Sequence, residues 1–290
     1  MRSGILLVDK PQGLTSHDVV ARTRKAAGTR KVGHAGTLDP MATGLLVLGI
    51  NSSTRLLTFF VGLDKEYFAT IRLGQRTDSD DADGQILETI SASAITDAQI
   101  EAGIATLRGP ISQVPSTVSA IKVDGKRAYA LAREGEEVVL KARPVTISAF
   151  EVLSRDGDDV KVRVECSSGT YIRALARDLG AHLGVGAHLT ALRRTRIGPF
   201  AIEGAHELES IDVDAALIGP ADAASALFDQ VVLTDQQALE LTQGKRFGVD
   251  APDGSPVAAV TTSGRLVGLV TIASGRVKAL VNFPTDEALT

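Results

Sequence analysis

Lys31-Val32-Gly33-His34-Ala35-Gly36-Thr37-Leu38-Asp39-Pro40-Met41-Ala42-Thr43-Gly44 runs straight into Leu45-Leu46-Val47-Leu48. Gly33, Gly36 and Gly44 supply backbone freedom, and Pro40 pushes Asp39 out of helical geometry toward an extended one. The short apolar run after Gly44 reads as a buried strand, so the stretch is expected to be a loop that displays the Asp39 carboxylate from a rigid support. The same glycines, Thr37 and Asp39 also suit an ordinary turn. The rest of the chain has to decide between the two.

Upstream, residues 5–8 are strand-like. Thr15-Ser16-His17-Asp18 has the spacing of a capping box, so a helix is expected to start there and to end near Gly28. Arg22, Arg24, Lys25, Arg30 and Lys31 follow without an intervening acid. Such a collar beside the loop would attract phosphate; a solvated helix face would carry the same residues.

Downstream, Tyr67, Ala69, Ile71 and Leu73 alternate with Phe68, Thr70 and Arg72, as in a strand with both faces partly covered. The acidic Asp78-Ser79-Asp80-Asp81-Ala82-Asp83-Gly84 invites comparison with an EF-hand. With Gly84 as the sixth position, Ser79 would be first and Ile90 twelfth, so the leading Asp and the bidentate Glu are missing and a solvated turn is expected. Residues 96–108 read as a capped helix ended by Gly109-Pro110. Residues 113–144 form an excursion with Lys122, Lys126 and Arg127 beside Tyr129.

Val160, Val162, Val164 and Cys166 alternate with Lys161, Arg163 and Glu165, a half-buried strand. A helix from Thr170 carries Ile172, Leu175, Ala176, Leu179 and Leu183 as one stripe, with Arg173 and Arg177 on another face. Arg173 stands in the first turn, where the helix dipole opposes a cation, so a carboxylate from elsewhere is expected to justify it. Leu192-Arg193-Arg194-Thr195-Arg196 is a second basic cluster, or a surface strand. A boundary is expected near 230, followed by a helix over 235–242 and strands over 257–261, 266–272 and 277–281.

The chain has 290 residues, 23% charged and 44% hydrophobic, enough for a large core. Its apolar runs are far shorter than the ~20 residues of a membrane span, and the N-terminus lacks a signal-peptide core, so no membrane segment and a cytoplasmic location are expected. The single Cys166 allows neither an internal disulfide nor a Cys-based zinc site and reads as a small buried hydrophobe. A net charge of −4 argues against a uniformly basic nucleic-acid binder, so any polyanion site must be a patch.

Five segments together carry a resemblance: Asp9-Lys10-Pro11-Gln12-Gly13-Leu14-Thr15-Ser16, Gly33 through Pro40, Tyr67 with Arg72-Leu73-Gly74, Gly169-Thr170-Tyr171-Ile172-Arg173, and Leu192-Arg193-Arg194-Thr195. In this order, from residue 3 to about 200, the chain resembles the bacterial TruB-type tRNA pseudouridine synthases. One departure lies in the excursion, where Pro115-Ser116-Thr117-Val118-Ser119-Ala120 lacks the aromatic residue often found there.

The resemblance implies isomerisation of a uridine in the TΨC loop of tRNA, at the conventional position 55, with neither metal nor organic cofactor. Breaking an N-glycosidic bond and rejoining carbon to the sugar suits a carboxylate nucleophile, and Asp39 is the candidate. Arg173 is implied as its counter-ion and Tyr67 as the stacking platform for the flipped base. His34, Gly36, Thr37, Tyr171 and Leu192 are implied as substrate contacts. The basic clusters offer Arg24, Lys25, Arg30, Lys31, Lys122, Lys126, Arg127, Arg193 and Arg194 to the RNA backbone.

The implied fold is α+β, a mixed and largely antiparallel sheet flanked by helices, with a small β-rich PUA-like C-terminal domain. The catalytic domain would span 1–229, including an RNA-contacting insertion at 113–144, and the RNA-binding module 230–290. The partner expected is the TΨC stem-loop of tRNA, with no membrane and no obligate protein partner. Rival readings are a tRNA-folding protein without the chemistry and the guide-RNA-dependent branch of the superfamily. The Asp39, Tyr67 and Arg173 set argues against the first, and the insertion against the second.

Overall fold

The computed structural model describes residues 2–116, 122–123, 126–127 and 140–283, with backbone alone for 122–123 and 126–127. The chain opens with β1 (Gly4–Lys10), α1 (Ser16–Ala26), β2 (Val32–Ala35), β3 (Thr43–Ile50) and α2 (Leu57–Val61). β4 (Lys65–Leu73), β5 (Gln75–Thr77), β6 (Ile86–Thr89), α3 (Asp97–Thr106) and β7 (Gly109–Gln113) follow. Next come β8 (Lys122–Val123), β9 (Lys126–Arg127), β10 (Arg143–Asp156), β11 (Asp159–Cys166), α4 (Ile172–Leu183) and β12 (Ala187–Ile197). The remainder comprises β13 (Phe200–Ala201), β14 (His206–Glu207), α5 (Val213–Ala216), α6 (Pro220–Ser225), β15 (Gln230–Leu233), α7 (Asp235–Thr242), β16 (Gly254–Thr261), β17 (Leu266–Ala273) and β18 (Arg276–Asn282).

The chain divides into two compact units, one from residues 1–39, 45–61 and 199 onward, the other from 40–44 and 62–198. In the first, β1 lies between β14 and β3, parallel to β14, and β2 runs antiparallel to β3 with His34 opposite Leu48. Thr15 caps α1 through the expected box with Asp18, and Ala27 and Gly28 end the helix. Val19 and Val20 of α1 pack with Leu6, Val8, Leu46, Leu48 and Ile50. Each such burial contributes about 1.5–3 kcal/mol, which makes β3 a rigid support.

β2 corrects the expectation of one loop from 31 to 44. Val32–Ala35 is a paired strand, and the loop proper is the segment from Gly36 to Ala42. Gly33 is therefore not a turn residue. A Cβ there would sit 3.0 Å from Leu57 Cδ1, so its role is close packing.

The same unit holds a four-stranded sheet in the order β15-β16-β17-β18, with its own core of Val231, Leu233, Ala238, Leu241, Val257, Val267 and Val270. Helix α7 has the bounds read from the sequence, with Thr234 and Gln237 forming its capping box. β15 was not among the expected strands; it pairs parallel with β16, Val231 opposite Ala259.

In the second unit the strand order is β12-β4-β11-β10-β7, antiparallel throughout, and β12 also runs parallel to the first residues of β3. Tyr67, Ala69, Ile71 and Leu73 fill the buried face of β4, whereas Phe68 and Arg72 on the other face are exposed. Helix α4 buries Ile172, Leu175, Ala176 and Leu179, packs on β12, and ends at Gly184 with φ 73°. β7 and β10 pair with Gln113 opposite Arg143 and Ser112 opposite Pro144. The insertion at 113–144 thus leaves and returns on neighbouring rungs of one ladder.

Candidate active site

In the first unit, Asp39 follows a residue fixed on both backbone groups. Leu38 N–H donates to Ser16 Oγ at 2.9 Å, and Ser16 Oγ–H donates to the Leu38 carbonyl at 3.2 Å. Ser16 is the first residue of α1, so the capping chemistry that starts the helix also places the hydroxyl that holds the loop. Leu38 is buried, Gly36 turns at φ 87°, and Asp39 is left half-buried with Thr37 exposed before it.

After Asp39, Met41 and Ala42 are buried and Gly44 adopts φ 101°. A Cβ on Gly44 would lie 2.2 Å from the Arg194 carbonyl oxygen, so both the dihedral and the close approach demand glycine. The loop is therefore anchored on both sides of the carboxylate.

His34 stands half-buried on β2, its ring edge-to-face with that of His17 at 5.6 Å and 82°. Arg24, Lys25, Arg30 and Lys31 are exposed, and Arg24 also donates to the Val32 carbonyl at 3.0 Å.

In the second unit, Tyr67 on β4 lies opposite Arg194 on β12, and Ala69 opposite Leu192. Opposed residues of an antiparallel pair share a face, so Tyr67, Leu192 and Arg194 all project from the buried side of the sheet. Lys65 joins them there, opposite Cys166. Burial, reinforced by the Arg194 charge, lowers the Lys65 amine to about 8, and burial pushes the Cys166 thiol up to about 11.

Arg194 is a correction to the second basic cluster: its side chain is not available to the RNA backbone. It is 1% exposed, the largest fully buried side chain described, because β12 is an interior strand and not a surface one. Arg193, on the opposite face, is half-buried and reaches Thr43 Oγ1 at 3.5 Å. The side chains of Lys122, Lys126 and Arg127 lie outside the described residues, as do residues 117–121 with the departure noted above.

Arg173, the second residue of α4, is 3% exposed. Its guanidinium lies 3.2 Å from an Asp81 carboxylate oxygen and donates to the Ser79 carbonyl at 2.7 Å. Here is the carboxylate that the unfavourable dipole position called for. One turn on, Arg177 pairs with Asp80 at 3.3 Å and donates to the Val114 carbonyl at 2.7 Å.

The acidic stretch 78–84 is consequently not a solvated turn. Ser79, Asp80 and Asp81 are buried, and Asp81 also accepts from the Asp83 N–H at 3.2 Å and from the Ser79 hydroxyl. Burial raises the Asp80 carboxyl above the usual range, against the pull of Ser116, Arg177 and Arg173. Sequence reasoning missed these ion pairs of Asp80 and Asp81 because their arginines lie some ninety positions away. The unexplained Arg173 was the available signal.

Tyr171, the residue before α4, is half-buried, and the Arg143 guanidinium lies over its ring at 4.6 Å from the centroid. Its backbone N–H donates to Gln113 Oε1 at 2.8 Å, and Gln113 Nε2 donates to its carbonyl at 3.0 Å. Gln113 was not singled out from the sequence.

Residues 24–172 match the model of the TruB family pseudouridylate synthase N-terminal domain, and 173–240 match the tRNA pseudouridylate synthase B C-terminal domain. A protein of Leifsonia xyli named tRNA pseudouridine synthase B is 61% identical over 98% of each chain, and one of an Arthrobacter species is 53% identical over 99% of each. Among solved structures, a chain of an H/ACA RNP bound to a substrate RNA containing 2′-deoxyuridine superposes with a TM-score of 0.73. It is 26% identical and covers 98% of this chain and 86% of its own. A Cbf5-Nop10-Gar1 complex gives 0.72 at 27% identity, covering 97% and 84%. The chain belongs to the TruB family of pseudouridylate synthases, isomerases that turn uridine in RNA into its C-glycoside.

Proposed function

We propose that this chain isomerises the uridine at position 55, in the TΨC loop of tRNA, with Asp39 as nucleophile. The observation that carries the reading is the Asp39 loop. One carboxylate is left half-buried between a backbone held by Ser16 and a glycine packed on the Arg194 backbone. The N1–C1′ bond breaks, the base turns over, C5 joins C1′, and the C5 hydrogen is replaced by one on N1, so no atom is gained or lost. Attack requires the carboxylate in its ionised form.

Arg173 is the counter-ion of Asp39 in this reading, steadied from its own unit by Asp81. Tyr67 stacks the flipped base; stacking of about 1–3 kcal/mol offsets much of the few kcal/mol that extrusion costs. Leu192 closes the apolar side, His34 enters the RNA loop, and Gly36, Thr37 and Tyr171 contact the substrate. Arg24, Lys25, Arg30, Lys31 and Arg193 hold phosphates, joined by Lys122, Lys126 and Arg127 from the insertion. Residues 230–290 are assigned to a PUA-like RNA-binding module and 1–229 to the catalytic domain, and the enzyme works in the cytoplasm without a metal or cofactor.

The guide-RNA-dependent alternative is the weaker one: relatives named for the tRNA enzyme reach 61% identity, against 26% for the H/ACA chain. The test is site-mapped pseudouridine on a tRNA transcript, with and without chelator. Conversion at position 55 alone, unchanged by chelator, is expected. Conversion elsewhere only, or none without a guide RNA, would overturn the proposal.

A further inference from the structure

The two residues at the root of the insertion grip the same neighbour. Gln113 and Arg143 are register partners across β7 and β10. Gln113 takes both backbone groups of Tyr171, and Arg143 covers the Tyr171 ring and donates to the Gly169 carbonyl. A carboxamide can serve an N–H and a C=O side by side because it carries an acceptor oxygen beside a donor NH2 group, so the pair matches a β-strand rung. Gln113 is 1% exposed, so water is not there to replace it.

Tyr171 is the N-cap of α4 but makes no side-chain capping bond, unlike Thr15, Thr96 and Thr234 at the starts of α1, α3 and α7. Its carbonyl also accepts from Leu175 N–H at 3.2 Å as the helix begins. What fixes the start of α4 is thus a clamp from the insertion root, and Arg173 lies two residues beyond it. Arg177, one turn later, donates to the Val114 carbonyl, a third bond between the start of α4 and the chain that leaves β7.

We infer that Gln113, with Arg143, is a positioning residue for the reaction: it sets the place of Tyr171 and, through the first turn of α4, the direction of Arg173. This deepens the proposed function and rests on it. The root of the insertion then does more than carry an RNA contact; it aligns the arginine on which the nucleophile depends.

The experiment compares Gln113→Leu and Gln113→Glu with the wild type in single-turnover pseudouridine formation on the full tRNA, alongside tRNA Kd. Leucine removes both bonds, and an ionised glutamate sets an anion against the Tyr171 carbonyl. The rate constant at saturating enzyme is expected to fall at least tenfold in both variants, with Kd within threefold. For Gln113→Glu the ratio to wild type should recover as pH falls from 8 to 5, because the protonated acid regains a donor. Unchanged rates, a loss carried wholly by Kd, or a pH-independent ratio would overturn the inference. Should a Gln113 variant not fold, Arg143→Gln is judged by the same rate and Kd criteria. A wild type inactive on tRNA would instead refute the proposed function.

Discussion

Replacing Asp81 by alanine should be among the most damaging single changes outside the hydrophobic core. Asp81 and Arg173 side chains are 7% and 3% exposed, and their charges lie 3.2 Å apart. Removing one partner of such a buried pair typically costs about 3–5 kcal/mol, since the remaining charge stays desolvated. Arg173 keeps the Ser79 carbonyl and, in the proposed reading, Asp39, which places Asp81→Ala nearer the lower figure; Asp81→Asn, which retains an acceptor oxygen, should cost about 1.5–3 kcal/mol. The assay is urea unfolding followed by circular dichroism on wild type, Asp81→Ala, Arg173→Met and the double variant. If the broken Asp81–Arg173 pair is the cause, Arg173→Met should recover part of the loss in the Asp81→Ala background, with a coupling of at least about 1 kcal/mol. A coupling below about 0.5 kcal/mol, the ordinary error of additivity, would refute the reasoning.

Gly44→Ala combines an unfavourable φ of 101° with a Cβ 2.2 Å from a backbone oxygen, so a loss of at least ~3 kcal/mol or insoluble protein is expected; a variant of wild-type Tm would contradict the close packing. Lys65 has a folded pKa of about 8 against 10.5, so the folded state binds fewer protons in that window and wild-type stability contributed by this group rises with pH across it. Lys65→Met should accordingly stabilise the protein at pH 7, by at most roughly 3 kcal/mol, and the advantage should shrink toward pH 10.5 in parallel thermal melts; an advantage constant with pH would be inconsistent with a strained cation. Changing Arg24, Lys25 and Arg30 together to glutamine should weaken tRNA binding and flatten the plot of log K against log salt by roughly 0.7–0.9 for each phosphate no longer neutralised, whereas an unaltered slope would move the footprint elsewhere.

Local chemistry made much of the fold legible. The capping boxes at Thr15 and Thr96, the strict alternation of 160–166 and the bounds of α7 all depend on residues within one turn or one strand of each other. What sequence reading misplaced depends on distant partners. Asp80 and Asp81 look like solvated turn residues until Arg173 and Arg177 close over them. Arg194 looks like an RNA contact until β12 turns out to lie between β3 and β4. Gly33 looks like a turn until β2 pairs with β3, and the four residues of β15 were too few to signal a strand before β16 gave them a partner. For the candidate site, Pro40 and the glycines drew attention to Asp39, and the position of Arg173 asked for a carboxylate, of which the structure shows Asp81. Gln113 carried no signal, because a bidentate bond to a backbone 58 positions away leaves no local pattern.

A nucleophilic Asp39 is tested by Asp39→Asn, because the amide keeps the shape of the side chain and removes its charge. Site-mapped pseudouridine at tRNA position 55, measured in single turnover beside tRNA Kd, should show no conversion by the variant while binding stays within a few-fold of wild type. Conversion at the wild-type rate by Asp39→Asn would contradict the account.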